Sequence, residues 1–209
     1  MKLLSKLLVT SIASLLMTAA AFAQGSPQEG RDYVRVEKPA PTSSQGKHEV
    51  VEFFMYSCGH CYNFEPALEA WIKQAPKNVN VIRVPVAFRD NVVPHQRMFY
   101  TLETLGKLDT LHMKAFSAYH TDKRPLATGP EQADWAATFG VNKDEYLKIY
   151  NSFSVQTKVQ RATQLAEAYK IESTPTIGVN GRYMASGADP KTLRTVEFLT
   201  SQPPSLARK

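Results

Sequence analysis

Residues 49–55, Glu-Val-Val-Glu-Phe-Phe-Met, form an almost continuous apolar run, the pattern of a strand buried on both faces. A second such run, Val-Asn-Val-Ile-Arg-Val-Pro-Val at residues 79–86, predicts another strand with Pro85 near its end. Between them, residues 61–75 carry helical spacing, and Pro66 inside that stretch predicts a kink or a restart because proline removes one helix donor. Upstream, residues 24–30 read as a flexible start and Tyr33-Val-Arg-Val36 as a short strand. Residues 38–46, rich in Pro, Ser and Thr, read as a loop.

From about residue 90 to residue 160 the spacing is helical throughout. Met98, Leu102 and Leu105 fall on one face, as do Leu108, Leu111, Ala115 and Tyr119. Trp135 and Phe139 lie one turn apart, Tyr146, Tyr150 and Phe153 follow, and Val159, Ala162, Ala166 and Tyr169 repeat the spacing. Thr128-x-x-Glu131 and Asn142-x-x-Glu145 read as helix starts, since the first side chain can cap the turn. Strand signals return at residues 175–179 and 182–185, joined by Asn180-Gly181, a strong hairpin signal. A last helix is expected over residues 190–200, followed by a polar tail. The order β, β, α, β, helical block, β-hairpin, α describes a small α/β domain interrupted by helices, without internal repeats.

The first residues read as a processing signal. Lys2 and Lys6 form a positive n-region, residues 7–21 an apolar h-region, and Ala21-Phe22-Ala23 an A-x-A cleavage site. Cleavage is expected after Ala23, leaving an exported, soluble protein, because the apolar run is too short to span a membrane comfortably and no later run is longer. The formal net charge is +6 from 25 basic and 19 acidic residues, and two of the positive charges belong to the leader. The rest are scattered without a dense Lys/Arg run, so nucleic-acid binding is not expected.

The chain has two cysteines, and they sit together as Cys58-Gly59-His60-Cys61, directly after the apolar strand and at the start of the helix. A secreted fold that depends on disulfide staples is cysteine-dense, and so short a loop removes little entropy from the unfolded chain. A structural role is therefore the weaker reading. Unpaired N–H groups and partial positive charge at a helix N-terminus favour thiolate over thiol, which makes Cys58 the candidate nucleophile and Cys61, one turn on, the resolving thiol. His60 can donate a hydrogen bond to the Cys58 thiolate or add positive charge; alternatively it is a solvated bystander. Structural zinc asks for four ligands, usually in two pairs. His48, His95, His112 and His120 offer no second pair, so no metal is expected.

These features together resemble the thioredoxin superfamily, and within it the DsbA-type thiol:disulfide oxidoreductases of the bacterial periplasm. The residues that carry the resemblance are Glu52-Phe-Phe54, Cys58-x-His60-Cys61-Tyr62, Phe64-Glu65, Asn151-Ser-Phe153 and Thr174-Pro175 ahead of the Asn180-Gly181 hairpin. The resemblance implies an α/β thioredoxin fold, residues 24–89 and 163–209, with an inserted all-helical domain at residues 90–162. It implies donation of the Cys58–Cys61 disulfide to reduced, unfolded exported proteins through a mixed disulfide, with no other cofactor. Reoxidation by a membrane quinone-linked partner of the DsbB type, a periplasmic location and a monomeric state are also implied. Glu52 would lie buried beneath the motif and exchange protons with Cys61, its pKa raised by desolvation; the plainer alternative is a strand residue facing water. Arg83 stands where the family usually has a lysine paired with that acid. Thr174-Pro175 would be the cis-proline loop that receives the substrate strand, against a trans turn proline as the plainer reading. Gly59 departs from the family, which commonly has proline there, and bears on oxidising power. Two other functions stay open: a disulfide isomerase or reductase, and a periplasmic metal chaperone using Met55, Cys58, His60 and Cys61.

Overall fold

The computed structural model describes residues 25–202; the expected leader and its cleavage site after Ala23 lie outside them. Strand β1 (Val34–Arg35) is followed by β2 (His48–Phe54), helix α1 (Gly59–Gln74) and β3 (Val79–Pro85). A short 3-10 turn (Asp90–Val92) leads into five helices: α2 (Val93–Thr104), α3 (Leu108–His120), α4 (Gly129–Ala137), α5 (Lys143–Tyr150) and α6 (Phe153–Ala168). The hairpin β4 (Thr176–Val179) and β5 (Tyr183–Ser186) and helix α7 (Pro190–Ser201) complete the order. It is the order expected from the hydrophobic pattern.

The five strands form one mixed sheet in the order β1-β5-β4-β2-β3. The β2 and β3 strands are parallel, joined by α1 as a parallel pair requires, and the other pairings are antiparallel. Every residue of β2 is buried, because it lies between β3 and β4 with helices over both faces. Alternation along the strand divides its side chains. Val51 and Phe53 join a core with Met98 of α2, Phe116 of α3 and Tyr146 of α5, while Val50 joins Leu68 of α1, Ile177 of β4 and Val196 of α7. Fully burying such a side chain is worth about 1.5–3 kcal/mol over leaving it exposed. Glu52 sits on the Val50 side by the same alternation, and it is as completely buried as its neighbours.

Local signals set the element ends. Thr128 and Glu131 form a reciprocal capping box at α4, and the Asn142 side chain accepts from the Glu145 N–H at α5. Two expectations need correcting. The helix does not restart at Pro66: α1 is continuous through it, with Phe64, Glu65 and Leu68 on either side buried and the proline itself exposed. Phe153 does not extend the Tyr146–Tyr150 face and is 81% exposed. Ser152 caps a new helix at that point, accepting from the Val155 N–H, and so resets the helical phase.

The hairpin turn shows where backbone geometry demands glycine. Asn180 and Gly181 both have positive φ, 54° and 68°, as a two-residue type I′ hairpin loop requires. A Cβ at Gly181 would also lie 2.3 Å from the Ala40 carbonyl oxygen, whereas one at Gly140 (φ +82°) would meet nothing within 4 Å. Gly181→Ala is therefore expected to cost at least about 1–3 kcal/mol by strain alone and clearly more than Gly140→Ala, compared by denaturant midpoints. Equal losses would show that the close approach to Ala40 contributes nothing.

Candidate active site

Cys58 occupies the N-cap of α1 with extended backbone (φ −88°, ψ 114°). Its N–H donates to the Met55 carbonyl at 3.0 Å, and its own carbonyl accepts from Tyr62 N–H at 3.1 Å to start the helix. In an ordinary cap a side-chain oxygen accepts from the first free N–H groups. Here a sulfur does so: Cys61 N–H donates to Cys58 Sγ at 3.3 Å. Both cysteines are free thiols; Cys58 is partly exposed and Cys61 buried. The Cys58 sulfur also lies 3.4 Å from the Thr174 carbonyl oxygen, to which the thiol can donate. The Thr174–Pro175 peptide bond is cis.

This placement separates the two sulfurs chemically. The Cys58 pKa is lowered to about 5, first by a hydrogen bond from the Cys61 thiol, then by Thr174 and the backbone N–H groups of Cys61 and His60, all against the opposing effect of burial. The same contact from the other side, together with burial, raises Cys61 far above the ordinary thiol range. One sulfur is thus poised as a thiolate and the other as a thiol. His60 and Gly59 are exposed. The His60 contribution that the structure displays is its backbone N–H; among the described residues its imidazole has no hydrogen bond.

The neighbouring wall comes from α3. His120 Nε2 lies 2.9 Å from the Tyr56 carbonyl oxygen, and its ring stacks on Tyr62 at 5.0 Å between centroids. Tyr62 OH in turn meets Thr121 Oγ1 at 3.2 Å. A Cβ at Gly59 would stand 3.9 Å from His120 Cε1, so α3 packs directly against the motif turn.

Beneath it is a buried ionic cluster. Parallel pairing places Glu52 of β2 opposite Arg83 of β3, and Arg83 Nε lies 3.2 Å from Glu52 Oε2, although it is not aligned for a hydrogen bond. Arg83 Nη2 does hydrogen-bond Glu65 Oε1 at 2.6 Å and Glu69 Oε1 at 2.5 Å, both on α1. One guanidinium therefore serves three carboxylates. Burial first, and the Glu65 charge second, push Glu52 well above the usual carboxylate range despite Arg83. Glu65 goes the other way: burial opposes its charge, but His112 and Arg83 outweigh burial and hold its pKa low. Arg83 thus contacts Glu52 but is shared with Glu65 and Glu69, and the Glu52 pKa stays raised despite it. The Glu52 carboxyl group makes no hydrogen bond to Cys61 or to any other described residue.

Glu65, Glu69, His112 and His120 were not assigned roles from sequence. Glu65 and Glu69 carried a usable signal, since they follow Cys61 at intervals of four on one helix. The histidines lie on a helix about 50 residues further on, and nothing local marks them. A cavity of about 430 Å³ lined by Ile82, Val84, Tyr100 and α6 residues includes no motif residue. Cys58 is thus the sulfur of the dithiol that a partner can reach. Among the described residues no cluster of His, Cys, Asp and Glu could hold a metal ion.

Comparison with known proteins points the same way. Residues 83–194 match a family model described as a DSBA-like thioredoxin domain. The thiol:disulfide interchange protein DsbA of Burkholderia cepacia is 42% identical over 207 residues, covering 95% of this chain and 97% of its own. That of Bordetella parapertussis is 45% identical over 174 residues, covering 83% of this chain and 81% of its own. The crystal structure of Pseudomonas aeruginosa DsbA superposes with a TM-score of 0.82 at 37% identity, covering 88% of this chain and 97% of its own. A thioredoxin fold with a helical insertion, a dithiol at a helix start and relatives matched over nearly their full length establish that the chain belongs to the DsbA family of thiol:disulfide interchange proteins.

Proposed function

We propose that this DsbA-family oxidoreductase works in the periplasm, donating the Cys58–Cys61 disulfide to reduced exported proteins. The observation that carries the reading is the asymmetry of the two sulfurs: Cys58 half-exposed with a pKa near 5, and Cys61 buried and raised. A substrate thiolate attacks the exposed Cys58 sulfur, the Cys58–Cys61 bond breaks, and its electron pair leaves on Cys61, which takes up a proton to become a thiol. A second substrate thiolate then attacks the substrate sulfur of the mixed disulfide and expels Cys58 as a thiolate. A low-pKa thiol is the faster leaving group, so this second step is favoured. Two electrons end on the Cys58/Cys61 dithiol, which serves as the redox group without a further cofactor.

Glu52 is the proposed proton donor to Cys61. Burial and the Glu65 charge raise its pKa, which favours the protonated form a donor must have before it can act. Thr174 and Pro175, against the Cys58 sulfur, are proposed to receive the substrate main chain. His60 acts through its backbone N–H and, when protonated, through its charge. The leader read from sequence supports export, and a monomer accepting oxidising equivalents from a membrane quinone-linked enzyme of the DsbB type completes the cycle. A metal chaperone would need a donor set at the motif, and the buried Cys61 disfavours it. A dedicated reductase or isomerase is disfavoured because a thiolate as stable as Cys58 favours giving the disulfide away.

Two outcomes test this. With a reduced unfolded protein as substrate, the Cys61→Ser variant should trap a mixed disulfide at Cys58, and Cys58→Ser should form none; turnover that survives Cys58→Ser contradicts the proposal. Thiolate absorbance of Cys61→Ser, whose serine hydroxyl can still donate to Cys58, should titrate with a midpoint near the low value of Cys58, about 5. A midpoint near about 8.5, that of an unperturbed thiol, removes the asymmetry on which the mechanism depends.

A further inference from the structure

His112 of α3 is buried, 6% exposed, in an otherwise aromatic setting of Phe54, Phe99 and Phe116. Both ring nitrogens have partners in reach. Nδ1 lies 2.8 Å from Tyr56 OH, and Nε2 lies 3.6 Å from Glu65 Oε1. The tautomer follows from electrostatics. A bare Nε2 lone pair turned toward a carboxylate is repelled, whereas an Nε2–H is attracted. Nε2 therefore carries the proton, and Nδ1 accepts from the Tyr56 hydroxyl. The distance to Glu65 exceeds that of a direct hydrogen bond, so the interaction is that of an N–H dipole and a charge in a buried setting, where both count for more than in water.

The other groups facing His112 are Arg83 of β3, Glu69 of α1 and, through Arg83, Glu52 of β2. His95 of α2 is turned away to the Pro125 carbonyl at 2.8 Å. Burial keeps the His112 ring neutral at neutral pH. Glu52 and Glu65 are both fully buried and both rely on the one guanidinium of Arg83. Two such carboxylates do not ionise independently: the charge of one raises the proton affinity of the other. What breaks the tie is the difference between their surroundings. Glu65 has Arg83 Nη2 in a hydrogen bond and the His112 N–H beside it; Glu52 has the unaligned Arg83 Nε alone.

We propose that His112, oriented by Tyr56, is a positioning residue that decides which buried carboxylate carries the proton: it keeps Glu65 ionised, and the proton therefore resides on Glu52. This rests on the reading of Glu52 as the proton donor to Cys61 and extends it to the group that keeps that donor loaded. His112 touches neither cysteine and acts only through Glu65.

The test is carboxyl ¹³C NMR of the full reduced chain across pH, with Glu52→Gln and Glu65→Gln to assign the two signals. In the unaltered protein Glu52 should be protonated and Glu65 ionised at pH 7. His112→Leu removes the N–H, so the Glu65 midpoint should rise and the Glu52 midpoint fall. His112→Gln, which can again present an N–H, should return both toward their original positions. Tyr56→Phe removes a single hydroxyl and should displace both midpoints in the same direction as His112→Leu; it carries the test if the leucine variant does not fold. Unchanged midpoints in a folded His112→Leu or Tyr56→Phe protein overturn the proposal, as does an equal displacement in the leucine and glutamine variants. The signals report proton position without turnover, so a failure here is distinguishable from a failure of the oxidase reading, which the mixed-disulfide experiment decides separately.

Discussion

The first N–H groups of α1 have no partners within the helix, and the residue placed to satisfy them is a cysteine. An oxygen cap would end the matter at about 1 kcal/mol of helix stability. A sulfur cap couples helix stability to redox state, because a thiolate accepts from Cys61 and from the backbone far better than a disulfide sulfur does. Everything else at the site serves that contact. Strand β2 is buried on both faces and delivers the chain to the cap at a fixed point. The Thr174–Pro175 loop closes on the sulfur from the hairpin side, and α3 buttresses the turn through His120, Tyr56 and Tyr62.

The carboxylate cluster answers the complementary problem. A thiolate formed on the buried Cys61 is costly, so reduction of the disulfide needs a proton within the protein. Parallel register sets Glu52 against Arg83, and helical periodicity brings Glu65 and Glu69 to the same guanidinium. Three carboxylates around one cation cannot all ionise cheaply, and burial with the Glu65 charge pushes the Glu52 pKa furthest up. The cluster is thus more than a simple salt bridge, and breaking it would cost more than its net contribution to stability suggests.

Much of this was legible in the chain because it depends on local pattern. The apolar run ending at the motif predicted β2 and the start of α1, Asn180-Gly181 predicted the hairpin, and Thr128 and Asn142 marked helix starts at the residues that cap them. The Glu52–Arg83 contact came from resemblance, and strand register gives it a physical reason. What stayed hidden needs three-dimensional proximity. His112 and His120 look like positions on an amphipathic helix, and nothing local says that one faces Glu65 and the other caps Tyr56. Phe153 misled for a related reason: spacing carries a helical face forward, but a serine cap between two helices resets the phase. Pro66 does not restart the helix because burial of Phe64, Glu65 and Leu68 outweighs one missing hydrogen bond.

Folding and oxidising power draw on one interaction, the stabilised Cys58 thiolate, and the comparative stability of the two redox forms tests that claim most directly. DsbA is itself the standard example of a strong oxidant whose reduced form is stabilised, so the link between the two properties belongs to the family at large. The pKa of Cys58 is depressed in the fold, so its contribution is present above the unfolded thiol value and is lost as pH falls through about 5. Denaturant midpoints of the reduced and oxidised protein should therefore show the reduced form to be the more stable at pH 7, with the gap closing as the pH is lowered to about 4. An oxidised form more stable than the reduced one at pH 7 would contradict the account and make the protein a reductant.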